Sequence, residues 1–318
     1  MVTAYKWYLH GILLPSGAWI SQLTDTTPAA NVNFLTEYAA GAAAPSFRGA
    51  QGAKPEIAFT TTAVKQILDL CGFWGADLSA GNVDLYYRAA TKRGVREAIA
   101  DLDHLRIRCG PAVDGKGGSW LYWTRITAAQ DQPATIACRL VPLYDGTNPP
   151  LVGLGSQAIP AASLVTQQYT LGPVMVNGAA TPGGITAWDL DLGCKADEEA
   201  TDGDDFLSWI GVERHEPNLT VTLRGLGDWA AIGVPGAALT ALAAYLRKRQ
   251  PDLVRCYSDA SEVHVKIYAA DNPCGLATLD TITDGGQKAA QTKLRCGLRI
   301  SNAATDYPLL KNTAIAIT

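Results

Sequence analysis

Four short blocks, each present twice and in the same order, constrain this chain more than any local motif. Tyr8, Gly11 and Gly17 recur as Tyr169, Gly172 and Gly178, at a constant offset of 161. Pro55-Glu56-Ile57-Ala58-Phe59-Thr60 recurs as Pro217-Asn218-Leu219-Thr220-Val221-Thr222, at an offset of 162. Val83-Asp84-Leu85-Tyr86-Tyr87-Arg88-Ala89-Ala90 lies over Val263-His264-Val265-Lys266-Ile267-Tyr268-Ala269-Ala270, at 180. Cys138-Arg139-Leu140 and Pro150-Leu151 lie over Cys296-Gly297-Leu298 and Pro308-Leu309, at 158. One such block carries little weight, because short strands look alike. Four in register, with offsets changing only between blocks where loops absorb insertions, predict an internal duplication. The halves are 1–165 and 166–318, and 318 residues is near the size at which one core divides into two.

Each half reads as mainly β with one helix. Pro55 to Thr60, Val83 to Ala89, Leu105 to Cys109, Ser119 to Ile126 and Thr135 to Leu143 carry β-branched and aromatic residues between Gly, Asp and Asn punctuation. In the first half a Thr cap precedes Ala63 to Cys71. Val64, Ile67, Leu68 and Cys71 share one helical face, and Gly72 closes it. In the second half Pro235 to Lys248 is predicted to be a longer helix, with Pro235 in its first turn and Arg247, Lys248 and Arg249 at the negative end of its dipole. That longer helix would explain the jump in offset. Between the first two blocks both halves carry a long, weakly patterned segment, Ala18 to Lys54 and Ala179 to Glu216. Such segments are functional arms or extended hairpins. In the first, Trp19, Phe34, Tyr38 and Phe47 are candidate contact residues.

Chemistry is hard to find. Gly110 to Ser119 fits the G-x-x-x-x-G-K part of a phosphate loop, but Gly117 stands where a hydroxyl must hold Mg²⁺. The adjoining Ser119-Trp120-Leu121-Tyr122-Trp123 reads as a strand, and the phosphate cradle needs a helix N-terminus. His10, His104, His215 and His264 have no metal-ligand spacing, and no nucleophile elbow occurs. No enzyme activity, cofactor or metal is therefore predicted. The acidic run Asp197, Glu198, Glu199, Asp202, Asp204 and Asp205 lacks the spacing of a calcium loop. It reads as a solvated acidic loop or as a surface that repels a polyanion. Trp120 and Trp123, three apart, are expected on opposite faces of a regular strand.

Composition narrows the partners. Charged residues make up 18% against roughly 25% in an average soluble protein, which points to surface reserved for subunit contacts. A net charge of −4 argues against a general nucleic-acid-binding surface. The first residues show no charged start, apolar run and cleavage site, and no apolar stretch approaches the roughly 20 residues of a membrane span, so neither export nor a membrane partner is predicted. Seven cysteines without a C-x-x-C pair read as buried free thiols of a protein assembled in a reducing cytoplasm.

The strand set with one helix, the long arm and the lack of a catalytic signature together resemble the tail tube (major tail) proteins of long-tailed bacteriophages. Lys54 to Thr62 leading into Val64 to Leu70 looks like their strand-then-helix element. The resemblance implies tandem tail-tube-like β-sandwich or barrel domains whose inner strands join those of neighbours around a lumen that DNA traverses without sticking. It implies a virion location and a homo-oligomer, a trimer imitating a hexamer, stacked into a tube. The arms would hold ring to ring, the acidic cluster would be a candidate lumen surface, and tape-measure, terminator and baseplate proteins would be partners. Three alternatives remain: a baseplate-hub or distal-tail protein, a tandem β-sandwich carbohydrate-binding protein, and a hydrolase whose site is assembled from residues scattered along the sequence.

Overall fold

The computed structural model describes residues 7–29, 31–38, 40, 43–89, 104–113, 116–158, 167–180, 184–200, 204–223, 238–251, 255–269, 275–283, 291–298 and 309–318. The first run of strands is β1 (Trp7–Leu13), β2 (Trp19–Ile20), β3 (Leu23–Ala29), β4 (Val32–Glu37), β5 (Phe47–Ala53) and β6 (Glu56–Thr61). Helix α1 (Val64–Cys71) comes next, then β7 (Ala76–Asp77), β8 (Val83–Ala89), β9 (His104–Cys109), β10 (Ala112–Val113) and β11 (Lys116–Gly117). Strands β12 (Ser119–Ala129), β13 (Thr135–Pro142) and β14 (Leu151–Gln157) complete it. The second run is β15 (Tyr169–Val176), β16 (Ala179–Ala180), β17 (Ile185–Asp191), β18 (Lys195–Glu199), β19 (Trp209–Arg214) and β20 (Asn218–Leu223). It ends with β21 (Ala238–Leu239), β22 (Leu242–Lys248), β23 (His264–Ala269), β24 (Gly275–Thr283), β25 (Gln291–Leu298) and β26 (Leu309–Ile315).

The fold is mainly β with a single short helix among the described residues. Strand pairing in the second run repeats that of the first. One five-stranded sheet has the order β14-β9-β8-β1-β2 and the other β26-β23-β22-β15-β16. The long sheet is β21-β24-β25-β20-β17-β12-β13-β6-β3, with β7 beside β12. It is two four-stranded units, β12-β13-β6-β3 and β24-β25-β20-β17, joined where β12 meets β17. Even the irregularities recur. The ladder shifts between Trp123 and Arg125 in β12 and between Leu279 and Thr281 in β24. It also shifts between Leu23 and Asp25 in β3 and between Ile185 and Ala187 in β17.

This pairing corrects two features of the sequence alignment. Residues Leu242–Lys248, expected to be helical, form β22 between β15 and β23. Leu242 to Leu246 are all buried, because a central strand is covered on both faces and reads as a continuous apolar run. Such a run has no period that separates strand from helix, and tertiary pairing overrides the helical propensity of Leu and Ala. Pro235 itself lies outside the described residues. Strand β22 is thus the counterpart of β8, since each pairs with the first strand of its run. Val263 to Ala270, which the sequence pattern sets over Val83 to Ala90, instead matches β9, and the jump to 180 disappears. In the last block Leu140 faces Ile57 as Cys296 faces Leu219, so the correspondence in pairing is two residues from the one read in sequence.

One core runs through both halves. Leu121, Trp123, Ile126 and Ala128 of β12 and Trp188 and Leu190 of β17 point to it from the long sheet. Leu9, Ile12, Val83 and Leu85 meet them from the first five-stranded sheet, and Val174, Leu246, Val265 and Ile267 from the second. Helix α1 seals the first half with the predicted face, Val64, Ile67, Leu68 and Cys71, and Gly72 with positive φ ends it. Its N-cap is Ala63; Thr61 takes part only by accepting the Ala63 N–H at 3.1 Å. Asp69 ties the helix to the second half by accepting from Thr313 Oγ1 at 2.7 Å, and Lys65 pairs with the same carboxylate. Trp123 donates Nε1–H to the Gly72 carbonyl at 2.6 Å. Trp120 and Tyr122 face the other way, as their spacing from Trp123 requires.

In the glycine-rich stretch that mimics a phosphate loop, β10 pairs antiparallel with β11, which leads into strand β12 and not a helix; Asp114 and Gly115 lie outside the described residues. Gly110, Gly117 and Gly118 stand where backbone packs on backbone. At Gly118 φ is +88°, and a Cβ would strike the Ser79 backbone. Gly118→Ala is expected to lower unfolding stability by about 2–4 kcal/mol, combining left-handed strain with the collision. Urea denaturation of the two proteins checks this.

Candidate assembly interface

The joint between the two units is a five-residue antiparallel ladder from Arg125↔Asp191 to Ala129↔Ala187. Its ends are fixed by Leu192 N–H donating to the Thr124 carbonyl at 2.8 Å and Gln130 N–H to the Thr186 carbonyl at 2.9 Å. On the face away from the core, Arg125 Nε donates to Asp189 at 2.6 Å and Thr127 Oγ1 donates to the same carboxylate at 2.9 Å. The Arg125 guanidinium is raised above its ordinary pKa chiefly by that hydrogen bond. None of these residues stands out in sequence, because a ladder between distant strands leaves no local signal.

Each unit offers one edge to this joint and keeps one. Strand β3 holds in the first unit the place that β17 holds in the second, and among the described residues it is bonded only to β6. Strand β24 holds the place of β12. Among the described residues its far edge carries only β21, at Gly275 and Leu276, as β12 carries β7 at Trp120 and Leu121. The long sheet therefore ends on two edges that are counterparts of the two joined at its middle.

The segments expected as arms are hairpins. Strands β4 and β5 pair over Val32–Glu37 and Phe47–Ala53, and β18 and β19 over Lys195–Glu199 and Trp209–Arg214. Phe34 and Phe47 lie at register positions in the first, opposite Ala50 and Glu37. Tyr38 is at its turn, 61% exposed. Trp19 is not on this arm. It is only 2% exposed, in β2, with its indole against Gly11 and Tyr86. A tryptophan opposite a glycine fills the missing side chain's space, so it belongs to the packing of the five-stranded sheet.

The acidic run divides along β18 and the loop after it. Asp197 and Glu199 are exposed and Glu198 turns to Lys54 at 3.4 Å, while Asp202 lies outside the described residues. Asp205 contributes its carbonyl, which accepts the Ala53 N–H at 2.6 Å. The hairpin folds back on the first half, where Leu207 and Ile210 pack on Tyr122 and Val141. The open face of the long sheet carries instead the ion pairs Arg125–Asp189 and Arg139–Glu56 among Thr60, Thr127, Thr135 and Thr220. Beneath the hairpin a cleft of about 390 Å³ lies between Trp120 and Trp209, with Asp77, Lys116 and Asp204 on its walls. Trp209 is 48% exposed.

Among the described residues, no group of three His, Cys, Asp or Glu side chains could hold a metal ion. Cys71, Cys109 and Cys138 are free and buried, and burial pushes the Cys71 thiol up to about 12. No described helix is long and apolar enough to cross a membrane. The chain matches no protein-family model, and no curated protein is detectably similar to it in sequence.

His215 closes the base of the second hairpin against the first half, its ring 4.5 Å from that of Trp74. It is 5% exposed, and burial, opposed by a backbone hydrogen bond to Phe73, pushes its pKa down to about 4. The unfolded chain takes up a proton near pH 6.5 that the folded chain refuses until about pH 4. Stability from this group is therefore full above pH 6.5 and lost as pH falls toward 4. The expected loss is on the order of 2–3 kcal/mol. His215→Phe should flatten that part of the stability profile in urea titrations run from pH 7 to pH 4.5.

Proposed function

We propose that this chain is a structural subunit, born of an internal duplication, whose copies join head to tail through the free edges of the long sheet. The observation that carries this is the β12–β17 joint, with the counterpart edges left open at β3 and β24. Repeating the joint between molecules sets Ile282 of one copy opposite Pro28 of the next, as Ile126 stands opposite Leu190 within the chain. Such a contact is heterologous, so it grows into a ring or an open helix, and only closure removes both edges.

The tail-tube reading fits this geometry. Three chains supply six similar units, and the stacked rings would enclose a lumen for DNA. Among the described side chains of the long sheet's open face, Arg125 and Arg139 are each paired with a carboxylate, which lowers their attraction for a polyanion. The acidic residues of β18 sit on a hairpin, which favours a contact between rings or at a rim over a lumen lining. A baseplate-hub or distal-tail ring would use the same edges. The cleft between Trp120 and Trp209 favours a second reading, a glycan-binding surface, since sugars stack on exposed indoles beside hydrogen-bonding side chains.

Purified protein is expected to form rings or striated tubes with a central channel in negative-stain micrographs as concentration rises. Ile282→Pro, which removes a donor from the β24 edge, should leave a folded monomer that no longer assembles. Sedimentation showing only monomer for the unaltered protein at every concentration would sink the structural reading. Specific binding on a glycan array would then favour the alternative.

A further inference from the structure

Antiparallel strands bond alternate residues to alternate neighbours, so the facing of any one residue can be read from a single bond of known partners. In β17, the bonds of Leu192 and Thr186 to β12 place the even-numbered residues toward the joint. Glu216 N–H donating to the Gly193 carbonyl at 3.2 Å places the odd-numbered ones toward β20. Leu190, opposite Ile126, therefore donates its N–H across the joint. In β3, Lys54 N–H donates to the Asn31 carbonyl at 3.3 Å, which turns Thr27 and Ala29 to β6 and leaves Thr26 and Pro28 facing outward. Pro28, opposite Ile57, is the counterpart of Leu190, opposite Leu219. Where the internal joint has a donor, the free edge has a residue without an N–H.

The other joint positions differ in the same sense. The internal joint has Arg125 and Thr127 against Asp189; at the counterpart positions the free edges have Thr281 and Thr283 against Thr27. No ion pair can form there.

We propose that Pro28 sets the strength of the contact between copies, making the joint between molecules weaker than the joint within the chain. The inference rests on the head-to-tail reading, and the partner is a second copy of this chain, entering with its β24 edge. An edge one donor short resists indiscriminate strand pairing by the lone subunit, which is where prolines stand on exposed edges. It also keeps subunit addition reversible, so that misplaced copies can leave.

The test is the concentration at which half the protein is assembled, read by light scattering and sedimentation. Pro28→Leu, which installs the β17 residue, should lower that concentration about fivefold, the factor given by one net hydrogen bond. Pro28→Ala should lower it too, separating the restored N–H from the larger side chain. Thr26→Pro, which removes a second outward donor, should raise it while leaving the monomer's unfolding temperature unchanged. Thr27→Pro faces β6 and should lower the unfolding temperature instead. An unchanged or higher threshold for both Pro28 variants, with the unaltered protein assembling, overturns this proposal alone. Failure of every protein to assemble overturns the head-to-tail reading and this proposal with it.

Discussion

Two strands from opposite halves of the chain, β12 and β17, meet in a hydrogen-bonded ladder, and the rest of the molecule is arranged around that meeting. Without it, each four-stranded unit would end on a bare edge in the middle of the molecule. With it, Ile126 and Ala128 stand beside Trp188 and Leu190 over one core, and both five-stranded sheets pack on the same side. Burial outweighs charge here. The Arg125–Asp189 pair is largely open to water on its arginine side, and such pairs contribute about 0–1 kcal/mol. Fully burying one side chain of the size of Leu190 contributes about 1.5–3 kcal/mol. The core, more than the ion pair, supplies the stability.

The two halves repeat in pairing but not in surface. The second hairpin is committed to its own chain, through Leu207 and Ile210 on Tyr122 and Val141, and through His215 against Trp74. The first hairpin has Tyr38 exposed at its turn. Equal strand order thus comes with unequal surfaces. Pro28 and Leu190 express that difference in one backbone atom.

Much of the first half was legible. The β-branched and aromatic content of Ser119 to Ile126, the helical face of Val64 to Cys71 and the glycine stop at Gly72 all derive from local chemistry, and a strand, running on to Ala129, and a helix form there. The repeated blocks fall on a repeated strand order, but their alignment in sequence departs from the strand pairing. Leu242 to Lys248 looked helical because Leu, Ala and Tyr at those spacings suit either structure, and only pairing on both sides makes the segment a strand. Trp19 looked like an arm residue because a tryptophan in a polar segment gives no sign that Gly11 has left room for it.

The sequence by itself determined a β-rich chain and its early helix, but not the second helix read at Pro235 to Lys248, since side-chain period, capping and turn residues act only within a few positions of one another. Which strands meet was decided only by the tertiary structure. Arg125, Thr127 and Asp189 are ordinary residues until β12 and β17 lie side by side, and Pro28 is an ordinary proline until its neighbours show which way it faces. Contacts between residues far apart in the chain are set by the shared burial of two apolar faces, and that selection leaves no mark at either site alone.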